Sequence, residues 1–377
     1  MSKTIVNIIT PQDPLPAYLF IKELYESGDR LMFVSTRNDE EKIDFFTQLI
    51  GIAPSEITDV VLQRHEDSFT YERICRRLRA LLHADESYYV NLAGGSRYMA
   101  LAVHQAFTPF HSRFFYTQTR ENIIVSSIFD DSIYDNDDIF TPITYRMTLA
   151  EYFEAHGLRH DLQRHHSHIP IRDSESTQRI FDLYAHNKLS DDEFESLNVL
   201  RTQFRGEQRP CKISFIERNG AKRLSSLLFH IGFVPAVSGQ LSHDEIDYLT
   251  GGWFEEWVFN LIIDRVEPDD IAIGVRIWRP GEQHNNELDV CFIKGNALHV
   301  IECKTGIQSD HLFNEIVYKA CALREALLGM TAQSSIFSLK RDPDGNLERV
   351  ARIMDIRLLS RHILTSPKLL EKSLRVI

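Results

Sequence analysis

Short apolar runs rich in β-branched and aromatic residues alternate with helical patterns through the amino-terminal third of the chain. Five runs predict strands: Ile5–Ile9, Leu31–Ser35, Val60–Leu62, Tyr88–Leu92 and Arg113–Tyr116. Four intervening segments predict helices, near Ala17–Glu26, Lys42–Ile50, Tyr71–His83 and Arg97–Phe107. This alternation is typical of a doubly wound α/β domain with a parallel sheet, in which ligands bind outside the carboxyl ends of the strands.

Two loops at those strand ends carry candidate ligand-binding residues: Thr10, Pro11, Gln12 and Asp13 after the first strand, and Asn91, Gly94, Gly95, Ser96 and Arg97 after a later one. The glycines let backbone N–H groups approach an anion, Ser96 can cap the following helix, and Arg97 adds a permanent charge. A glycine before a capping serine is also common wherever a loop leads into a helix, without any ligand. The chain has no G-x-G-x-x-G and no G-x-x-x-x-G-K-[ST], so a dinucleotide cofactor or an NTPase is unsupported.

The segment that follows is polar and of mixed composition. Arg159–His168 holds four histidines, at positions 160, 165, 166 and 168. Their spacing is compatible with zinc, but no cysteine or second cluster accompanies them, which favours a solvated hinge. Residues 176–205 predict two helices, because apolar residues recur there at helical spacing. We expect these helices to couple two domains.

A β-hairpin is predicted near the start of the carboxy-terminal third. Two apolar runs flank the pair Gly295-Asn296, which predicts two strands joined by a two-residue turn. That register places Asp289 opposite Glu302 and, further out, Glu287 opposite Lys304. Side chains alternate at period two, so all four share one face. Two carboxylates about 5 Å apart at their Cβ atoms repel each other. A divalent cation bound between them removes the repulsion.

A helix before the hairpin adds another candidate acid. Gly251–Ile263 has helical periodicity, and its apolar arc contains Glu255, with Glu256 at the edge. A carboxylate on a buried face needs a partner. Glu255 is therefore the first candidate and Glu256 the reserve.

These residue types favour metal-assisted phosphodiester hydrolysis. Asp289, Glu302, the Cys303 carbonyl and Glu255 offer hard oxygen ligands suited to Mg²⁺ or Mn²⁺. Lys304 is a point charge that can hold an attacking water or a developing anion. Glu287 either tethers Lys304 or belongs to a wider ligand shell. The alternative is a structural ladder of Glu and Lys with no catalytic role.

The D-x12-E-x-K hairpin, preceded by the Gly-x-x-Glu helix and followed by a long helix predicted from Asp310 to Gly329, resembles the PD-(D/E)xK nuclease core. Leu288 stands where that motif nominally has proline. The amino-terminal turn Asn91-x-x-Gly94-Gly95-Ser96-Arg97, between a strand and a helix, resembles the CARF family motif. Together they resemble the CRISPR type III ancillary nucleases, which fuse a CARF sensor to a PD-(D/E)xK nuclease. The resemblance covers residues 1 to about 140 and about 240 to 377.

The resemblance implies a Rossmann-like CARF domain over 1–150 and a mixed α/β, restriction-endonuclease-like nuclease domain over 236–377. The helical pattern between them predicts a helical connector over 151–235. It implies that cyclic tetra-adenylate binds at a homodimer interface and activates Mn²⁺- or Mg²⁺-dependent cleavage of DNA, RNA or both, with single strands the expected form. The residues implied for the activator are Thr10, Pro11, Gln12, Asp13, Thr36, Asn91, Gly94, Gly95, Ser96 and Arg97. Those implied for the nuclease site are Glu255, Asp289, Glu302 and Lys304.

Composition bounds these expectations. The formal net charge is −12, and residues 236–377 contain 16 Lys and Arg against 21 Asp and Glu. Nucleic-acid enzymes usually offer phosphates a basic surface, so this acidity predicts weak, transient engagement of substrate. The five cysteines show no paired spacing, and the chain has no signal peptide and no long apolar run. We therefore expect a cytoplasmic protein with no membrane association.

Two other function classes stay open at this point. One is a restriction or repair nuclease whose amino-terminal domain binds a different ligand. The other is a CARF-containing regulatory protein whose nuclease half is degenerate. Nuclease assays with and without cyclic tetra-adenylate separate the three.

Overall fold

The computed structural model of the 377-residue chain describes residues 2–9, 13–36, 48–62, 70–126, 139–162, 174–282, 286–305, 317–318, 320–322, 332–340 and 346–375. The architecture is α/β, as the sequence predicts, with one parallel-rich sheet and a second, mixed sheet. None of the helices in these ranges is long and apolar enough to span a membrane.

The first sheet has the strand order β3-β2-β1-β4-β5-β6-β7, and its first five strands run parallel. Its strands are β1 Thr4–Ile8, β2 Arg30–Thr36, β3 Ile57–Leu62, β4 Ser87–Asn91, β5 His111–Gln118, β6 Ile123–Ser126 and β7 Phe140–Pro142. Its helices are α1 Leu15–Leu24, α2 Tyr71–Arg79 and α3 Arg97–Phe107. All five predicted strands are present, and each boundary agrees within a few residues. Of the helix predicted near Lys42–Ile50, only residues 48–50 lie in the described part, and they are helical.

The centre of this sheet is its topological switch point. The chain winds outward from β1 through β2 to β3, and then returns to place β4 on the other side of β1. In doubly wound sheets, the loops that follow the two strands at such a point diverge and leave a crevice for a ligand. The ends of β1 and β4, which the two predicted ligand loops follow in the sequence, lie here.

The middle of the chain is mostly helical. Its elements are α4 Leu149–Ala155, β8 Arg159–Asp161, α5 Ser174–Ala185, α6 Asp191–Val199, β9 Cys211–Lys212, α7 Ile213–Arg218, α8 Leu224–His230, β10 Gln240–Leu241 and α9 His243–Asp247. Helices α5 and α6 confirm the two helices predicted over 176–205. A π-helical turn, Leu200–Phe204, continues α6.

The expected hinge over Arg159–His168 is wrong at its start. Residues 159–161 form β8, which pairs antiparallel with a strand of the second sheet and becomes its edge. His160 lies in this strand and contacts Glu154. The other three histidines of the cluster fall outside the described residues.

The second sheet has the order β15-β14-β13-β12-β11-β8. Its further strands are β11 Asp270–Trp278, β12 Asn286–Lys294, β13 Ala297–Lys304, β14 Gln333–Ser338 and β15 Arg357–Ser360. The accompanying helices are α10 Trp253–Val266, α11 Asn346–Ile353, α12 Arg361–Leu364 and α13 Pro367–Leu374. The helix expected from Asp310 to Gly329 is helical at its described residues 317–318 and 320–322; its remaining residues lie outside the described part.

The β12–β13 hairpin belongs to two cores at once. Leu298 and Val300 pack into a core that also contains Tyr18 of α1 and Tyr152 of α4. On the other side, Phe292, Ile301 and Cys303 pack with the residues of α10 and α5. Because its two faces join these cores, the hairpin is held between the amino-terminal domain and the helices around α10.

Candidate functional site

The hairpin turn has the predicted length. Cross-strand pairs run from Lys294 opposite Ala297 to Val290 opposite Ile301, which leaves Gly295 and Asn296 as the loop. Their φ angles are 56° and 63°. Positive φ at both central residues defines a type I′ turn, whose twist matches that of the flanking strands.

The acidic residues of the two strands converge on one lysine. The Nζ atom of Lys304 lies 2.6 Å from Glu302 Oε1 and 3.2 Å from Asp289 Oδ2. Asp289 Oδ2 also accepts a hydrogen bond of 2.7 Å from the backbone N–H of Cys303. All three charged side chains are largely buried, at 15 to 18% exposed. The structure thus brings Asp289, Glu302 and Lys304 together.

A break in strand alternation aims Asp289 at its neighbour strand. Ala272 and Val275 of β11 are three residues apart and yet pack into the same core. The same is true of Leu288 and Cys291 of β12. In a regular strand, residues three apart face opposite sides. Gly274 and Asp289 are the residues left out of the β11–β12 pairs at this break, and the φ of 64° at Gly274 explains why a glycine stands there.

The expected pair of Glu287 and Lys304 is not what forms. The β12–β13 ladder ends at Val290, so the register does not extend out to position 287. Glu287 is exposed and lies across from Arg276 of β11, while Lys304 pairs with Asp289 and Glu302. Of the two roles that the sequence suggests for Glu287, the direct tether to Lys304 is therefore not formed, because Asp289 and Glu302 bind the lysine instead.

Glu255, in the first turn of α10, belongs electrostatically to the same cluster. Burial raises its pKa well above the usual value, and the negative charge of Asp289 raises it further, with Lys304 opposing. Glu287 and Glu302 add smaller effects in the upward direction. The side chain therefore lies close enough to the hairpin acids to be repelled by them. Glu256, the reserve candidate, is 3% exposed.

Lys304 is held as a cation. Burial acts to lower its pKa, but the charges of Asp289 and Glu302 outweigh that effect, and the net shift is upward. A single ammonium group thus faces three buried or half-buried carboxyl groups, those of Glu255, Asp289 and Glu302. This excess of acid is a setting that a divalent cation would stabilise.

The donor set fits a hard cation. Within the described residues, no three Asp, Glu, His or Cys side chains come close enough to hold a metal ion. The Lys304 ammonium instead lies between two of the expected ligands. The oxygens of Glu255, Asp289 and Glu302 are nonetheless of the type that Mg²⁺ and Mn²⁺ prefer. The Cys303 thiol is buried, which raises its pKa well above the usual value, and the Cys303 carbonyl stays a predicted ligand.

Sequence reasoning missed the residues that hold this site from outside. Tyr184, at the end of α5, donates a hydrogen bond of 2.7 Å to the carbonyl of Thr305. In the same helix, the ring of Phe181 stacks on Trp257 of α10 at 3.8 Å, and Gln178 accepts a hydrogen bond from Trp257 Nε1. The only signal in the sequence was that aromatic residues share the apolar stripe of α5, which also suits simple core packing.

The loop after β4 packs directly against the end of β1. Gly94 and Gly95 have φ of 115° and 66°, and a Cβ on either would come within 2.5 Å of Ile8 at the end of β1. Glycine is therefore required for the β4 loop to pass against β1. Ser96 caps α3 by accepting a hydrogen bond from Met99 N, as predicted. Arg97 is exposed.

Asn91 connects the elements around the switch point. Its side chain is buried, and its Nδ2 donates to Asn7 Oδ1 and to Pro16 O, each at 3.0 Å. Its Oδ1 accepts from Ala93 N at 3.1 Å. The polar atoms of this predicted ligand contact are thus engaged within the protein, where they tie β4 to β1 and to the start of α1.

The remaining predicted activator residues are only partly described. Thr10, Pro11 and Gln12 lie outside the described residues. Asp13 precedes α1, and burial raises its pKa to about 6 against the effects of the Leu15 backbone N–H and of Arg120. Thr36 is the last residue of β2 and pairs with Leu62.

Comparison with known proteins places both halves of the chain in families. Residues 4–152 match the family model of the Card1 CARF domain, and residues 243–368 match that of the Card1-like endonuclease domain. No curated protein matches the sequence.

Solved structures match over nearly the whole length. Protein VC1899 from Vibrio cholerae is 19% identical, with 99% of this chain and 97% of that chain covered and a TM-score of 0.75. Can2 from Sulfobacillus thermosulfidooxidans, in complex with cyclic tetra-adenylate, is 19% identical, with the same coverage and a TM-score of 0.71. A type III CRISPR defence DNA nuclease activated by cyclic oligoadenylate is 13% identical, with 93% of this chain and 52% of that chain covered and a TM-score of 0.54.

The fold and the matched domains define a protein that joins a CARF domain to an endonuclease domain. Residues 4–152 and 243–368 belong to these two Card1 domain families, and the fusion of a CARF domain to a nuclease domain that was recognised from the sequence is confirmed.

Proposed function

We propose that this protein is a metal-dependent nuclease that cyclic tetra-adenylate activates, and that it cleaves single-stranded DNA, RNA or both in type III CRISPR antiviral defence. The observation that carries the proposal is the convergence of Asp289 and Glu302 on Lys304, with Glu255 in the same electrostatic cluster. A degenerate nuclease domain would have no reason to keep this buried group of charges.

The roles follow from the chemistry of each side chain. Asp289, Glu302 and Glu255 would hold Mn²⁺ or Mg²⁺, which supplies an acidified water and charge stabilisation at the phosphate. Lys304, fixed between two carboxylates, directs a permanent positive charge at the place where negative charge develops during hydrolysis. The hydrogen bond from Cys303 N orients Asp289 toward the same place.

The activator would bind at the switch point of the first sheet. The match to the Card1 CARF domain and the structural likeness to Can2, which was solved with cyclic tetra-adenylate, support this ligand. The loops after β1 and β4, with the exposed Arg97, would contact the ring. A cyclic tetranucleotide can carry a twofold axis, which suits a homodimer that presents the same patch twice.

The test measures cleavage of single- and double-stranded DNA and RNA with Mn²⁺, with Mg²⁺ and with EDTA, each with and without cyclic tetra-adenylate. We expect cleavage that requires both metal and activator. Cleavage that ignores the activator would instead favour a restriction or repair nuclease with a different amino-terminal ligand. A protein that binds the activator but cleaves no substrate would be a regulatory protein.

A further inference from the structure

We infer that Asn296, at the tip of the β12–β13 hairpin, is the positioning residue through which the CARF domain sets the placement of the nuclease residues on that hairpin. The inference rests on the proposed function and adds to it a specific connection between the two domains. Within the described residues, the hydrogen bonds of the Asn296 side chain go to positions 122, 145 and 147, and not to the activator loops or the candidate nuclease residues.

The side chain of Asn296 is buried and fully engaged by the CARF side of the molecule. Its Nδ2 donates to Asn122 Oδ1 at 2.7 Å and to Tyr145 O at 2.9 Å, and its Oδ1 accepts from Met147 N at 2.8 Å. The residue is 1% exposed. A hairpin tip is usually solvated, so a turn residue buried against another domain needs a reason beyond turn formation.

The turn itself does not require this amide. Type I′ turns accept glycine at both central positions, and the φ of Asn296 is 63°. Its partner Asn122 also has a positive φ, of 56°. Glycine would satisfy the backbone at either position, so the two amide groups are explained by their contact with each other and with residues 143–147.

From Asn296, a continuous set of contacts leads back to the activator loops. Glu23 of α1 accepts hydrogen bonds from the backbone N–H groups of Thr144 and Tyr145, both at 3.1 Å. Tyr18 of the same helix donates to Glu151 at 2.8 Å, and Tyr145 donates to that same carboxylate oxygen. Helix α1 begins directly after the Thr10–Asp13 loop, and its Pro16 carbonyl binds the Nδ2 of Asn91 from the other loop.

From Asn296, strand β13 leads forward to the nuclease residues. Glu302 is six residues along this strand, about 20 Å at the usual rise per residue. The tip is fixed on its other side as well, because Gly295 N donates to Asp269 and Leu149 N donates to Asp270, at 2.7 and 2.8 Å. If activator binding displaces α1, these contacts would therefore move the whole hairpin with it.

The experiment uses glycine at the two positive-φ positions, because glycine keeps the backbone and removes only the amide. The full-length proteins carry Asn296→Gly, Asn122→Gly or both, and Glu267→Gly serves as the matched control. Glu267 has a φ of 53° and an exposed side chain close to the same hairpin, where its carbonyl accepts from Lys294 Nζ. Each protein is assayed for cyclic tetra-adenylate affinity by calorimetry and for cleavage without and with saturating activator.

We expect Asn296→Gly to bind the activator within about threefold of wild type and to lose at least tenfold in stimulation by it. Asn122→Gly should lose less, because it removes only one of the three hydrogen bonds of the Asn296 side chain, and the double variant should be no worse than Asn296→Gly, since that shared bond is already lost in the single variant. Hydrogen exchange gives a readout that does not depend on cleavage. Activator binding should change exchange at the amides of residues 297–304 in wild type and in Glu267→Gly, but not in Asn296→Gly.

Two results would overturn the inference while leaving the proposed function intact. One is an Asn296→Gly protein stimulated like wild type. The other is a variant whose basal and stimulated cleavage fall by the same factor, with unchanged exchange responses, since that describes a purely structural residue. If wild type itself neither cleaves nor responds to the activator, the proposed function fails first.

Discussion

The hydroxyl of Tyr184 donates a hydrogen bond to the carbonyl of Thr305, 2.7 Å away, although 121 residues separate the two in sequence. Thr305 directly follows Lys304, so this bond fixes the end of β13 at the candidate nuclease lysine. Burial raises the pKa of Tyr184 to about 12, with Arg201 and Arg361 opposing, so the hydroxyl keeps its proton at neutral pH. Arg361 in turn holds the end of α5, because its guanidinium donates to the carbonyl of Ala185.

Replacing Tyr184 by phenylalanine tests this support. Tyr184→Phe keeps the ring contacts with Phe194 and Trp253 and removes only the hydroxyl. We expect a loss of about 1 kcal/mol in the free energy of unfolding, measured by urea denaturation. We also expect cleavage to fall about tenfold at unchanged activator affinity, because Lys304 is less well fixed.

The control for this variant is Tyr25→Phe. Tyr25 also has a hydroxyl bonded to another residue, Glu56 at 3.3 Å, but it lies in the first domain. Removal of the Tyr25 hydroxyl should leave the cleavage rate unchanged. Equal cleavage by Tyr184→Phe and wild type would show that the bond to Thr305 has no part in positioning Lys304.

Substitution of the hairpin residues tests the catalytic assignment. Glu302→Ala and Lys304→Ala should each abolish cleavage, because each removes several kcal/mol of transition-state stabilisation. Activator binding, measured by calorimetry, should persist, since the CARF loops lie in the other domain. Lys294→Ala is the control at the other end of the same hairpin and should cleave normally. More than about a tenth of the wild-type rate in either site variant would place the nuclease chemistry elsewhere.

Metal binding can be measured without any cleavage. Mn²⁺ should raise the Tm of the wild-type protein, because a ligand that binds only the folded state stabilises it. Asp289→Asn and Glu302→Gln should each remove most of that increase, and EDTA should reverse it. Glu267→Gln, which changes an exposed acid outside the cluster, is the matched control and should keep the increase. An equal Mn²⁺ effect in all variants would mean that the ion binds at another place.

Local patterns predicted much of this molecule. Alternating apolar runs gave the strands around β1 and β4, and the pair Gly295-Asn296 gave the hairpin register from Lys294 to Val290. Both features depend on neighbours in sequence, which is why a period or a turn residue suffices to predict them. Asp289 and Glu302 both contact Lys304, although the ladder ends one pair before the predicted pairing of these two acids, at Val290.

Other features depend on contacts that no local pattern encodes. The alternation break at Gly274 moved Glu287 away from Lys304, and an isolated glycine in a strand pattern was the only sign of it. Strand β8 was hidden in a polar, histidine-rich stretch, because an edge strand of three residues is too short to show a period. Asn296 was interpreted as a turn residue, and its burial against Tyr145 and Met147 is visible only in the folded chain.

His299 gives the fold a specific dependence on pH. It is 5% exposed and stacks on Phe292 with ring centroids 4.6 Å apart. Burial lowers its pKa to about 4, and Arg357 adds to the effect. His299 in the unfolded chain therefore becomes protonated below about pH 6.5, whereas in the folded chain it stays neutral until about pH 4. Stability from this residue is complete above pH 6.5 and is lost as the pH falls toward 4, by roughly 3 kcal/mol in total.

His299→Phe should remove that dependence while keeping the stacked ring. Urea denaturation at pH 7 and pH 5 should show a smaller loss for His299→Phe than for wild type. His362→Phe, at an exposed position, should lose as much as wild type. Identical losses in wild type and His299→Phe would show that His299 does not titrate between these pH values.

The last prediction concerns how the activator engages the CARF domain. Arg97 is exposed at the start of α3, beside the two glycines that bring the β4 loop against β1. In a C2 dimer, two copies of this turn would face one cyclic tetranucleotide, with each arginine near its phosphates.

Arg97→Ala should therefore move the activation curve to higher ligand concentration. Saturating activator should restore cleavage, because the nuclease residues are unchanged and the ligand shifts the equilibrium only by its preference for the active state. Arg113→Ala, at an exposed arginine of β5 in the same domain, should leave the curve in place. Calorimetry should give one activator per two chains, and one per chain, or full activity in a monomer, would contradict the shared site.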